Sequence, residues 1–386
     1  MSAVTVPTLG DPKTQKRESY YRPELDVVRF VAFSLVFVHH VTHRNASGFG
    51  VNFRWAVPAA AFANACGFGV ALFFALSAYL ICELLLREKD RSNRVNIRYF
   101  LIRRILRIWP LYFLGLAIGC VLAIRSHRSE DLLLFGACTL MVGNWFYIFV
   151  HSTLNPMSVL WSISVEEQFY LFCPFAVSRL TRRGLYLLCG AILIIANTTL
   201  FILGNRGANT DSAVWYNSLV QFQFFAVGIL LSLILRGRLP SLPVWIRLAM
   251  QGTAILLWFI ACYVFHAKQA GPSTSGLSLV TGYALAAFGC VLMIVGFLGL
   301  PAKFLPQGLV WLGKISYGLY VYHLLAITLI SDLPPAFAAK GAIAFLLRIS
   351  AKLALTILLA ALSYKYFETR FLRLKKHFEV VESRPV

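Results

Sequence analysis

Residues 25–40 read LDVVRFVAFSLVFVHH. The stretch is apolar enough to enter a bilayer, yet it carries Asp26, Arg29, His39 and His40. An α-helix turns about 300° over three residues and about 1100° over eleven. Asp26, Arg29 and His40 therefore share one face of a predicted helix, with Arg29 and His40 about 16 Å apart along its axis. Ionisable groups at membrane depth are costly, and they point into a bundle or a wet cavity. The plainer reading is an interfacial Asp–Arg pair and a satisfied histidine near the far headgroups. The rest of the chain favours the cavity, because it supplies matching partners.

The 386 residues are 59% hydrophobic and only 13% charged, with a mean hydropathy of +0.71. Soluble proteins average about 25% charged. The composition indicates an all-α, polytopic transmembrane bundle. Net charge is +20. In a soluble protein that would suggest nucleic acid; here it reflects topology, because basic residues collect in cytoplasmic loops. Nucleic acid is not an expected partner. The eight cysteines lie in apolar segments with no CxxC and no metal-ligand spacing. They read as small buried hydrophobes, so neither a disulfide nor a metal site is expected.

A spanning helix needs about 20 mostly apolar residues. That ruler places ten spans near 25–42, 59–84, 100–124, 160–179, 184–203, 216–236, 247–266, 277–299, 308–331 and 342–367. The apolar segment Leu132–Val150 is left over and reads as an interfacial or partly inserted helix. With the N-terminus inside, inner segments hold 26 Lys and Arg and outer segments 7. This bias fits the positive-inside rule and puts both termini in the cytoplasm. The expected organisation is a cytoplasmic segment at 1–24, one transmembrane domain at 25–371 and a basic cytoplasmic tail at 372–386. Residues 1–22 lack the apolar core of a secretory signal.

Four further motifs carry ionisable groups into these spans. In RRILRIWPLY (103–112), Arg103, Arg104 and Arg107 stand at the cytoplasmic mouth of the third span. Three guanidiniums there suit phosphates, which they can grip in bidentate fashion; ordinary topology charge is the simpler account of any one of them. In WSISVEEQFYLFCP (161–174), Trp161, Ser164, Glu166 and Glu167 offer polar groups to a sugar-like acceptor. Adjacent helical residues diverge by about 100°, so at most one of the two glutamates faces a given partner. In ISYGLYVYH (315–323), Ser316, Tyr320 and His323 follow i, i+4, i+7 along one face. In YFETRF (366–371), Glu368 ends the last span beside basic residues. The plainer readings of these groups are a helix-binding ion pair for the glutamates, an interfacial histidine and a helix-end salt bridge.

Together with FFALSAYLI (73–81), these stretches occur in order over positions 25–371. In that order they resemble the membrane acyltransferase family 3, whose members O-acylate polysaccharides, lipopolysaccharide and macrolides. The resemblance implies a ten-helix fold, an acyl-CoA donor bound from the cytoplasm and an acceptor hydroxyl outside. The family's arginine–ten residues–histidine pattern lands on Arg29 and His40. Its basic pattern lands on Arg103, Arg104 and Arg107, and its glutamates on Glu166 and Glu368. Two features depart from the pattern. Ser77-Ala78-Tyr79 replaces Ser-Gly-Tyr, and Thr369-Arg370 stands where a proline is common. Many relatives also carry an esterase-like domain after the bundle, so a second step here is expected to need another protein.

Acyl transfer needs a base or a nucleophile, plus stabilisation of the oxyanion. His40 is the expected base or acyl carrier, with Arg29, Asp26 and Glu166 as its catalytic companions. Arg103, Arg104 and Arg107 are expected to hold CoA phosphates, and Trp161, Ser164, Glu167, Tyr320, His323 and Glu368 the acceptor. No cofactor is held permanently; acyl-CoA, acetyl-CoA first, is the donor substrate. Expected partners are the lipid bilayer of the inner (cytoplasmic) membrane, the donor, a carbohydrate or glycan acceptor and envelope-biosynthesis proteins. Competing classes are acylation of a secondary metabolite such as a macrolide, a small-solute transporter and a lipid-linked sugar transferase. A transporter predicts inverted repeats, and a sugar transferase an acidic metal-binding loop motif; neither pattern is evident. The topology makes a direct prediction. A reporter fused after Arg183 reads cytoplasmic; an external reading would mean that Leu132–Val150 crosses the membrane.

Overall fold

The computed structural model describes residues 20–44, 53–149, 155–268, 275–333 and 342–379. In chain order the helices are α1 (Pro23–Arg44), α2 (Phe53–Cys66), α3 (Gly69–Ser92), α4 (Ile97–Arg125), α5 (Ser129–Thr139), α6 (Gly143–Phe149) and α7 (Trp161–Arg179). They continue as α8 (Arg182–Asn205), α9 (Ser218–Leu235), α10 (Val244–Tyr263), α11 (Gly276–Phe297), α12 (Gln307–Lys314), α13 (Ser316–Ser331), α14 (Ala342–Ser363) and α15 (Thr369–Lys375). The fold is an all-helical bundle of a multi-pass membrane protein. Among the described residues eight stretches are long and apolar enough to cross a bilayer. They fall in α1, α2–α3, α4, α8, α9, α10, α11 and α14–α15. The two other expected spans correspond to α7 and to the shorter apolar α13.

Several expected elements are more articulated than a hydropathy reading suggests. The second expected span is two helices, broken at Gly67-Phe68. A Cβ on Gly67 would overlap the Lys268 ammonium, so the break leaves room for a buried cation. The expected span at 308–331 bends at Ile315 between α12 and α13. The leftover segment is two short helices, α5 and α6, rather than one, and neither has spanning length. The last expected span ends in a π-helical turn, Tyr364–Glu368, and the helical run continues into α15. Of the eight cysteines, seven are buried and Cys120 is partly so.

Polar side chains close the helix ends at one end of the bundle. Lys89 Nζ donates to the carbonyls of Val177, Ser178 and Leu180, just where α7 ends. Arg247, only 2% exposed, donates to five carbonyls: Pro240, Leu242, Gly296, Leu298 and Gly299. The last three belong to the C-terminal end of α11, where orphan carbonyls and the helix dipole favour a cation. Glu24 accepts from Gly299 N at 3.2 Å and ties α1 to the same corner. The two outer ends of the described chain meet here as well. Tyr20 lies under Arg87 at 4.4 Å, and the Phe378 carbonyl accepts from Arg103 at 2.7 Å.

Glycines set the closest helix crossings. A Cβ on Gly313 would overlap the Asp26 carbonyl oxygen, and one on Gly228 the Ala75 carbonyl oxygen. α12 thus seats directly on α1, and α9 on α3, as small residues allow in membrane bundles. Gly228→Val should cost about 1–3 kcal/mol through overpacking and lower the melting temperature in detergent by several degrees. Gly190→Val, on α8 with open space at its Cβ position, is the control and should not shift it. Equal melting of both variants would refute the close α3–α9 crossing.

Candidate active site

One cavity is lined by charged residues from several helices. It encloses about 1540 Å³ of space, the solvent at its mouth included. α1 contributes Asp26 and Arg29, α3 Ser77, α4 Arg103, Arg104 and Arg107, α7 Ser162, Glu166 and Tyr170, and α13 Ser316, Tyr317 and Tyr320. The segments before α1 and at the end of α15 add Tyr20, Arg22 and Lys375.

The mouth is cationic. Arg22, Arg29, Arg103, Arg104, Arg107 and Lys375 line the cavity against the carboxylates of Asp26, Glu88 and Glu166. Arg29 pairs with Asp26 at 2.5 Å, and Tyr21 donates to the other Asp26 oxygen at 2.9 Å. Helical spacing i, i+3 makes this pair, as expected for one face. Arg103 lies 3.5 Å from Glu88. The Arg104 guanidinium stacks near the rings of Phe100 and Tyr170, at 5.3 and 5.5 Å. Its Nε, like that of Arg22, is a buried donor with no acceptor among the described residues. Buried donors ordinarily have partners, and such orphans mark a missing ligand, ion or water. Burial, then the Glu83 charge, pushes the Tyr20 phenol up to about 12, so the ring stays neutral at physiological pH.

Further in, the carboxylate of Glu166 accepts from Ser77 Oγ at 2.7 Å and from the hydroxyl of Tyr170. Tyr170 is one helical turn along α7, so the same face carries both. Beside them Ser162 Oγ and Tyr320 Oη share a hydrogen bond of 2.7 Å. His323 lies immediately behind Tyr320 and is fully buried. Its Nδ1 faces the Tyr320 carbonyl at 2.6 Å, and its Nε2 faces His40 Nδ1 at 3.1 Å. His40 Nδ1 also lies 2.9 Å from the Val36 carbonyl. A carbonyl only accepts, so both neutral rings carry their proton on Nδ1. His323 Nε2 is then an acceptor for His40, and the lone pair of His40 resides on Nε2. His39 has the same tautomer: Nδ1 donates to the Ala63 carbonyl at 2.7 Å, and Nε2 accepts from Lys268 at 3.2 Å. Lys268 in turn sits 3.9 Å over the Trp215 ring.

The expected site residues therefore separate into three sets. Asp26, Arg29, Arg103, Arg104, Arg107, Glu166 and Tyr320 line the cavity. His323 and His40 stand behind Tyr320. Trp161, Ser164, Glu167 and Glu368 are placed elsewhere. Trp161 packs on Trp215 and Tyr216. Ser164 is buried near Gly143 of α6. Glu167 accepts from Trp109 Nε1 at 3.2 Å, so only one of the two adjacent glutamates faces the cavity. Glu368 accepts from Ser363 Oγ at 3.1 Å, against Gly318 of α13. Sequence reasoning missed Ser77 and Tyr170 as partners of Glu166, although the i, i+4 spacing of Glu166 and Tyr170 was legible. It also missed His39–Lys268 and Lys375, which come together only across distant segments.

A family model described as an acyltransferase domain matches residues 22–365, nearly the whole bundle. The chain belongs to this acyltransferase family. Among its relatives is the peptidoglycan O-acetyltransferase OatA of Listeria monocytogenes, 26% identical over 382 residues, covering 92% of this chain and 57% of the relative. "Putative peptidoglycan O-acetyltransferase YrhL" of Bacillus subtilis is 27% identical over 381 residues, covering 92% and 55%. A protein of Staphylococcus aureus strain MSSA476 named "Putative O-acetyltransferase" is 25% identical over 386 residues, covering 93% and 58%. This acyltransferase-family chain thus spans a little over half the length of these relatives. No solved structure matches it significantly.

Proposed function

We propose that this protein is an integral-membrane O-acyltransferase of the inner membrane. It moves an acyl group, acetyl in the first instance, from cytoplasmic acyl-CoA to a hydroxyl of an extracytoplasmic glycan. The observation that carries this reading is that six cations and Tyr320 line one cavity, with the His323–His40 pair directly behind Tyr320. A CoA ester has that polarity, with phosphates at one end and a thioester at the end of a long arm. The basic mouth would hold the phosphates, and the buried Arg104 Nε is a donor aimed at such an anion. The names of the relatives support a glycan of the peptidoglycan type as acceptor.

The chemistry follows from the tautomers. His40 Nε2 accepts the proton of the acceptor hydroxyl as its oxygen attacks the thioester carbonyl. The tetrahedral intermediate collapses, the C–S bond breaks, and the CoA thiolate leaves and takes a proton. The products are an O-acyl ester and CoA thiol. His323 acts through His40: its Nε2 receives the His40 Nδ1–H and fixes the ring, the part a carboxylate plays in other acyl-transfer sites. Arg29, tied to Asp26, lines the cavity about three helical turns from His40 and would orient the donor there.

His40→Ala should lower acyl transfer about 10²–10⁴-fold, the range of a general base, while the protein inserts and accumulates normally. His323→Phe should reduce kcat by roughly tenfold to a hundredfold and leave donor KM within about threefold, since it acts on orientation alone. Near-normal turnover in either variant would remove that histidine from the reaction. Arg104→Ala/Arg107→Ala should weaken CoA binding by about 10²–10⁴ if two charge-assisted contacts are lost additively. Calorimetry in detergent at two salt concentrations measures this; unchanged CoA affinity would leave these arginines as topology determinants.

A further inference from the structure

The segment after the last span adds a cation that the motifs do not include. Past the π-helical turn, α15 and residues 376–378 pack against α4 beside the cavity cations. Arg373, Lys376 and His377 of this segment are exposed, whereas Lys375 is 6% exposed and lines the cavity. Arg370 is exposed as well, so one basic residue among five is turned inward, beside Arg103, Arg104 and Arg107. Its Nζ lies 3.1 Å from Glu379, and that pair is almost fully buried. The order does not suit helix support, because Glu four residues before Lys is the favoured arrangement and here Lys comes first. Phe378 of the same segment engages α4 twice. The Phe378 carbonyl accepts from Arg103 at 2.7 Å, and the Phe378 ring meets Tyr99 edge-on at 5.5 Å.

Two oxygens of this segment, one carboxylate and one carbonyl, therefore sit on cations of the cavity mouth. A phosphate is the better acceptor for both, since it is more highly charged and engages a guanidinium in bidentate fashion. We propose that residues 369–379 complete the donor site: Lys375 binds a donor phosphate, and Glu379 and the Phe378 carbonyl occupy Lys375 and Arg103 until phosphate displaces them. This rests on the acyl-CoA reading above. The segment is then both part of the donor site and a competitor for it, so donor binding loosens its tip from α4.

The two side chains make opposite predictions. In full-length protein in detergent, Lys375→Ala should weaken CoA binding about tenfold to a hundredfold, the loss of one charge-assisted contact. Glu379→Gln should strengthen it about twofold to tenfold, because the competing charge is gone. Pantetheine, which has no phosphate, should bind both variants as it binds the wild type. Equal melting temperatures confirm that both variants are folded. If both variants weaken CoA binding alike, the segment is only a structural brace, and the proposal fails. If neither changes it, Lys375 takes no part in donor binding. Wild-type protein that binds no CoA would overturn the donor reading and this proposal with it.

Discussion

A guanidinium inside a bilayer-sized bundle must find oxygen, water or a ligand, because the hydrocarbon around the bundle offers none. Much of the site follows from that requirement. Arg29 meets it with Asp26, and Arg103 with Glu88 and the Phe378 carbonyl. Arg247 meets it with carbonyls of α11 and the loop before α10. Arg104 is handled differently, between two aromatic faces with its Nε unmatched. The contrast separates roles. Arg247 holds helix ends together, whereas Arg104 keeps a donor in reserve at a cavity wall.

The second shaping constraint is the breaking of apolar runs. A side chain at position 67 would put volume where the Lys268 ammonium sits, and Gly67 leaves that space open at the break. Lys268 reaches His39 on the turn of α1 that also carries His40. The bend at Ile315 similarly sets α13 at its own angle, so that Tyr320 faces the cavity while His323 reaches back to α1. Beyond the π-helical turn at 364–368, α15 packs on α4. Interrupted helices are tolerated in a bilayer only where protein covers the loosened backbone, and these breaks coincide with the polar interior.

Charge and reactivity are thereby separated along the cavity. Cations gather near the end where residues 20 and 379 lie, and imidazoles lie beyond Tyr320. Glu166 stands between, hydrogen-bonded to Ser77 and Tyr170. Under the proposed function, this arrangement would let a ligand be held by one end and altered at the other. Binding contacts and reacting groups then need not share the same few ångströms.

The sequence by itself determined the membrane class, most span positions, the Asp26–Arg29 face and the arginine group of α4. These are local properties: hydropathy over about 20 residues, and helical spacing of three, four or eleven residues. Spacing also showed that Glu166 and Glu167 diverge, but not which one faces inward; Trp109 on α4 decided that. The tertiary structure alone decided that His323 backs His40 across 283 positions of chain. It alone put Trp161, Ser164 and Glu368 outside the cavity wall and Lys375 on it. Each of these depends on which helix face meets which neighbour, and interhelical packing leaves no periodic signal in one sequence. A helical repeat reports what lies on a face; only the crossing of two helices says what that face touches.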